Sequence, residues 1–186
     1  MTRKPATYAD LEALPSNQVG ELVNGELHVS PRPAARHALA ASHLGGELHG
    51  PFDRGRGGPG GWILLTEPEL HLGRDVLVPD LAGWRRERMP RVPDVVGFTL
   101  APDWLCEVLS PSTSRLDRFR KLPVHAREGV RHVWLVDPLQ DTLEVFRLEG
   151  SHYLLVGTHE DAETVHAEPF EALALELRVL WEDLAE

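Results

Sequence analysis

The chain has 186 residues, 42% of them hydrophobic, which suffices to bury one sizeable core and lies near the usual size of a single domain. Its formal net charge of −10 excludes a protein that binds nucleic acid nonspecifically through an overall basic surface. The one cysteine, Cys106, excludes an intrachain disulfide and a cysteine zinc site, and it reads as core packing.

In chain order, a short helix is predicted over about Thr7 to Leu14, where apolar residues recur at helical spacing up to Pro15. Val19, Glu21 and Val23 then alternate up to Asn24-Gly25, and Glu26 and His28 alternate beyond it. Asn-Gly between two such runs predicts a hairpin, because both central positions of a type I′ turn need positive φ. From about Pro33 to His49, Ala and Leu at helical spacing predict a helix that ends at Gly50-Pro51, and the glycines from 55 to 61 form a loop. Trp62 to Leu72 reads as a strand that turns at Gly73-Arg74-Asp75 and continues as DVLVPDLAGW, a second hairpin. Residues 85–102 contain three prolines and no steady period, so they read as a connection.

WLCEVLS predicts a buried strand that runs into a serine-proline turn. Proline is tolerated in the first turn of a helix, so Pro123 predicts a helix that starts near it and stops at Gly129, with Lys121 just before it. RHVWLVDP, TLEVFRLE and YLLVGTHE predict three more strands, and EALALELRVLWEDLAE alternates at first and then turns helix-like. Pro and Gly are scattered and no linker or repeat stands out, so one domain over residues 1–186 is expected, with a mixed α/β layout around one sheet. No apolar stretch of about 18 residues and no basic-then-apolar N-terminus is present, so a cytoplasmic protein without a membrane span is expected.

Two acids interrupt apolar strands in a way that packing does not explain: Asp80 in VLVPDLAGW and Glu107 in WLCEVLS. Either alone could cap a turn or pair with an arginine. On neighbouring strands, however, the two carboxylates would come within reach of one ion, and paired carboxylates with room for waters suit Mg²⁺. Such an ion activates water and neutralises phosphate charge. Lys121 lies far enough beyond Glu107 to return over the strand end and steady an attacking hydroxide or transition-state charge. Glu21 by itself reads as part of a solvated strand face.

The ten histidines include no HExxH, and scattered surface histidines account for them. Ser110 and Ser112 flank Pro111 and form a hydrogen-bonded turn in which either hydroxyl could touch a phosphate. Arg115, Arg118, Arg120, Lys121, Arg127 and Arg131 crowd one stretch, whereas the chain beyond Glu160 is acidic. The arginines could form a solvated face or contact phosphates.

GELVNGEL, then VPDL, then CEVLSPSTSRLDRFRKLPVHAREGV and HVWLVDP together resemble the Uma-type restriction-endonuclease-like family of the PD-(D/E)XK nuclease superfamily. The resemblance runs in order from about Tyr8 to the C-terminus, and EVLSPST with the later lysine, the Gly-Val pair and WLVDP is its most specific part. It implies a restriction-endonuclease-like core, a mixed β-sheet flanked by helices with additional hairpins, acting as a Mg²⁺-dependent DNA endonuclease in which Mn²⁺ could substitute. Asp80 is then the motif aspartate, Glu107 the motif glutamate and Glu21 the additional N-terminal acid. The Val108 backbone carbonyl would help to hold metal, and Ser110, Ser112, Arg118 and Arg120 are candidate DNA phosphate contacts. The superfamily's usual lysine position, two residues after the glutamate, holds Leu109, and the resemblance moves that lysine to Lys121. Gly20 stands where the family usually has an aromatic residue, Asn24 where Asp is common, and His125 where Tyr is common. A homo-oligomer, as a dimer, is expected. The alternative is a nuclease-fold binding or assembly module that has kept the site but lost cleavage.

Overall fold

The computed structural model describes residues 4–183. Helix α1 (Tyr8–Glu12) precedes the hairpin of β1 (Gln18–Val23) and β2 (Glu26–Pro31). At the hairpin tip Asn24 and Gly25 both take positive φ, 52° and 81°, as the Asn-Gly turn requires. Gly20 in β1 leaves room for α1: a Cβ there would lie 2.3 Å from Leu14 Cδ1 and 2.5 Å from Leu11 Cδ2. The space that an aromatic side chain would fill is taken by these two leucines.

Helix α2 (Ala35–Leu48) runs without a break into a wider π-type turn over His49–Asp53. The predicted stop at Gly50-Pro51 is therefore corrected: the chain passes through Pro51 and closes on itself when Arg54 N–H donates to the His49 carbonyl at 3.0 Å. Four strands follow, β3 (Trp62–Thr66), β4 (Glu69–Leu72), β5 (Asp75–Leu77) and β6 (Leu81–Arg85). Here too the expectation is corrected. Trp62 to Leu72 is two strands, broken at Glu67, whose φ of 47° is incompatible with continued extension, and at Pro68. The second hairpin is split between two sheets, for β4 pairs with β5 in one and β3 with β6 in the other.

The connection over 85–102 contains a further short strand, β7 (Gly97–Phe98), parallel to β4. Strand β8 (Trp104–Val108) follows, and then one continuous helical segment: α3 (Ser114–Leu116), a π-type turn over Asp117–Lys121 and α4 (Leu122–Arg127). Helical structure thus begins well before Pro123, and Lys121 sits inside it and not ahead of it. The chain ends in β9 (His132–Asp137), β10 (Thr142–Glu149), β11 (His152–Glu160), the small pair β12 (Thr164–Val165) and β13 (Leu175–Glu176), and a short 3₁₀ turn over Leu177–Leu180.

Two main sheets result, where one was expected. The larger has the order β11-β10-β9-β8-β6-β3, with β8 and β9 its parallel pair; the smaller has the order β2-β1-β5-β4-β7. A parallel pair needs a crossover, which the segment containing α3 and α4 supplies. On one face of the larger sheet Trp104, Cys106 and Val108 meet Ala40, Leu44 and Leu48 of α2. Trp62, Trp104 and Trp134 surround Phe170 there, with ring centroids 4.9, 4.9 and 5.6 Å from it. On the other face Leu105, Ala82 and Leu135 meet Val124 of α4 and Leu70, Leu72 and Leu77 of the smaller sheet. Strand β8 is buried along its whole length because both its neighbours and both its faces are covered. Among the described residues no helix is long and apolar enough to cross a membrane.

Candidate active site

Strand alternation sends Glu107 to the same face as Leu105, toward α4 and the smaller sheet. Only 3% exposed, its carboxylate would be costly without charged partners. Lys121 Nζ lies 2.8 Å from Glu107 Oε1, 2.9 Å from Glu21 Oε1 and 3.3 Å from Asp117 Oδ1. His125 Nε2 approaches the same Glu107 oxygen at 3.4 Å.

Lys121 reaches this point because the chain after β8 turns tightly and then becomes helical. Ser110 Oγ lies 3.0 Å from both Ser112 Oγ and Thr113 Oγ1, and it accepts from Thr113 N–H at 3.3 Å. The wide turn that follows keeps both Asp117 and Lys121 buried while Phe119 points outward. Turns of this type are frequent at functional sites.

Asp80 lies where the chain leaves the smaller sheet for the larger. Its Oδ2 accepts from Val108 N–H at 2.7 Å, so the aspartate is fastened to the strand that carries Glu107. Its Oδ1 lies 3.2 Å from His37 Nε2. Two residues earlier, Val78 N–H donates to Glu21 Oε1 at 2.8 Å, which fixes the β1 acid over the same gap between the sheets.

Burial drives the Glu107 pKa well above the usual carboxylate range; Lys121 pulls the other way, and Asp117, Glu21 and Asp80 add to the rise. Burial likewise raises Asp117 against the pull of Lys121. For Lys121 burial favours loss of the proton, but Glu107, Glu21 and Asp117 outweigh it and hold the ammonium well above its ordinary value. Burial and then the Lys121 charge push His125 well below its ordinary value, so it faces Glu107 as a neutral imidazole.

Glu21, Asp80, Glu107 and Asp117 line one cleft of about 280 Å³ together with Val108, His37 and Lys121. Four carboxyl groups and one ammonium line the cleft, three of the acids on Lys121 and Asp80 apart from it, a set that favours a divalent cation. Among the described residues, no three His, Cys, Asp or Glu side chains converge as a ready-made metal cage. The fit comes instead from oxygen donors: Asp80 Oδ1, the Glu107 carboxyl and the Val108 backbone, which suit a hard cation that keeps several waters. Each contact described for the Glu107 carboxyl ends on Oε1.

Ser110 and Ser112 line the cleft as well. Arg118 and Arg120 do not: Arg118 Nη1 pairs with Glu144 Oε2 at 2.5 Å, and Arg120 is exposed. The expectation of scattered surface histidines is corrected at two positions, since His125 is fully buried against Glu107 and His37 is nearly buried against Asp80. Both carried a signal in the sequence. His37 continues the stripe of Ala40, Leu44 and Leu48 on α2, and Asp117, Lys121 and His125 recur every fourth residue on one helical side.

A family model described as "Uma2: Putative restriction endonuclease" matches residues 5–179. The fold is also that of a solved protein from Anabaena variabilis, described as a putative nuclease belonging to DUF820. The two superpose with a TM-score of 0.76 over 96% of this chain and 98% of that one, at 22% sequence identity. No curated protein matches the chain.

Proposed function

The chain belongs to the Uma2 family of putative restriction endonucleases, and from that membership and the cleft geometry we propose that it is a Mg²⁺-dependent DNA endonuclease. In this reading residues 1–186 make up one nuclease-like domain. Asp80 and Glu107, with the Val108 carbonyl, hold the cation. Held there, Mg²⁺, or Mn²⁺ in its place, would acidify a water and neutralise charge on the scissile phosphate.

The remaining work falls to side chains of the chain. Lys121 stays protonated between three carboxylates, so it is not the base that takes the proton from water. Its ammonium orients the attacking water and stabilises charge on the phosphate. Glu21 positions Lys121 and is in turn fixed by the Val78 N–H. Ser110 and Ser112 at the cleft mouth, with Arg120 and Arg118 outside it, are assigned to phosphates of the DNA. A local basic stretch is needed for this, because the whole chain is acidic. A dimer that sets two such clefts on opposite strands belongs to the same proposal.

The observation that carries this reading is the placement of Lys121 Nζ at 2.8 Å from Glu107, on the strand to which Asp80 is hydrogen-bonded. The experiment is nicking of supercoiled plasmid at low salt with Mg²⁺ or Mn²⁺. Wild type is expected to convert it to open-circular and linear forms, EDTA to stop this, and Glu107→Gln to abolish it. The net charge of −10 favours the second reading, a module that binds partners without cutting. Intact plasmid with either metal at every salt concentration would support that reading and sink the first.

A further inference from the structure

Among the histidines whose contacts are described, His49 commits both ring nitrogens to the main chain, Nδ1 to the Gly45 carbonyl at 2.6 Å and Nε2 to the Leu64 carbonyl at 3.1 Å. His43 gives Nδ1 to the Val179 carbonyl. These are structural contacts that hold α2 in place. His125 is sealed behind Glu107 and does not line the cleft. His37 differs from all of them. It stands in the first turn of α2, its side chain is 12% exposed, and it faces into the cleft shared by Asp80, Glu107 and Val108.

We propose that His37 is a nitrogen ligand of the cation held by Asp80 and Glu107, and that the completed site takes Mn²⁺ in preference to Mg²⁺. This rests on the metal-dependent reading above. Asp80 spends Oδ2 on the Val108 N–H, so Oδ1 is the oxygen left for an ion, and Oδ1 is the atom that His37 Nε2 approaches at 3.2 Å. Neighbouring ligands in an octahedral shell of about 2.1 Å radius lie roughly 3 Å apart, so the contact that is now a hydrogen bond has the span of one edge of such a shell. His37, Asp80 and Glu107 do not converge as a ready-made cage among the described residues, so ligation requires Nε2 to turn from Oδ1 toward the ion.

The described contacts of His37 run to Asp80 and the Val108 backbone, both of which line the cleft. Its Nδ1 is buried without a hydrogen-bond partner among the described residues, so no contact on the far side of the ring fixes it. Asp80 is the side chain that holds it. Ligation uses the Nε2 lone pair, and the proton that Nε2 shares with Asp80 passes to solvent. The consequence for metal choice follows from donor chemistry. Carboxylate, carbonyl and water alone suit Mg²⁺, whereas an added imidazole favours the transition ions, of which Mn²⁺ also accepts oxygen-rich octahedral sites.

Electron spin-echo envelope modulation of Mn²⁺ added to the purified protein tests this, together with Mn²⁺ and Mg²⁺ titrations of wild type, His37→Gln and Asp80→Asn. Wild type is expected to show ¹⁴N modulation from one directly bound imidazole, absent in His37→Gln. Mn²⁺ affinity should fall at least about tenfold in His37→Gln, the scale on which even outer partners of a metal site act. Mg²⁺ affinity should change much less. Should His37→Gln fail to fold, the wild-type spectrum decides alone. Mn²⁺ binding that needs Asp80 but shows no ¹⁴N coupling, or that tightens in His37→Gln, overturns the ligand role and leaves the nuclease reading standing. If no Mn²⁺ binding depends on Asp80, both fall.

Discussion

Lys121→Met will lower DNA cleavage by about 10²–10³-fold, the usual effect of removing one donor from a site where charge develops. The same change will destabilise the chain by about 3–5 kcal/mol, because it leaves buried carboxylates without their cation. Nζ is the partner of Glu21, Glu107 and Asp117, and the methionine fills the space without replacing the charge. Two of those acids already have pKa values raised by burial, with Lys121 the group that opposes the rise. Without it they rise further above their unfolded values. The folded variant then binds more protons than the unfolded chain, so its stability falls as pH rises. Urea unfolding at pH 5 and pH 8 checks this: the loss relative to wild type should be smaller at pH 5. An equal loss at both would mean that Lys121 is not the counter-charge of the cluster.

Asp80→Asn should behave in the opposite way, with function lost and the fold kept. The amide oxygen can still accept from the Val108 N–H, which now donates to Asp80 Oδ2 at 2.7 Å, so stability should change by no more than about 1 kcal/mol. Cleavage should fall by about a thousandfold or more, since the several kcal/mol that a bound ion supplies are lost with the anionic ligand. Plasmid nicking and thermal melts on one preparation measure both. A variant that melts like wild type and still cuts at more than about a tenth of its rate would remove Asp80 from the chemistry, that residual corresponding to only ~1.4 kcal/mol. Lys121→Met mixes folding and activity, whereas Asp80→Asn separates them.

Much of the local structure was legible in the sequence. Asn24-Gly25 announced the first hairpin through its need for positive φ, and the apolar run ending in WLVD announced β9. Alternation does not tell a strand which sheet it joins, and this is why Trp62 to Leu72 read as one strand. Its two halves alternate alike, but Glu67 and Pro68 hand the chain from the larger sheet to the smaller. The two-residue strand β7 has too few residues for a period to show, and proline-rich flanks hide it. The helical segment from Ser114 was missed because Pro123 suggested a helix start, although a proline also fits the turn after a wide π-type segment.

The candidate site was legible in its acids and less so in its histidines. Asp80 and Glu107 stood out because a carboxylate in an apolar strand demands a partner. Lys121 follows from its spacing after Glu107 and from the resemblance, and the geometry adds Asp117 as a third acid on its ammonium. His37 and His125 carried no motif. What marks them is position on a helix stripe, a signal that gains meaning only when the facing strand is known.

The measurement that tests the central claim most directly is anomalous scattering from crystals soaked in Mn²⁺. One strong peak is expected in the cleft, bonded to Asp80, Glu107 and the Val108 carbonyl, with Lys121 Nζ still against Glu107. No peak there, or an ion bound only at the protein surface while the Asp80 and Glu107 carboxylates keep their present partners, would contradict the account.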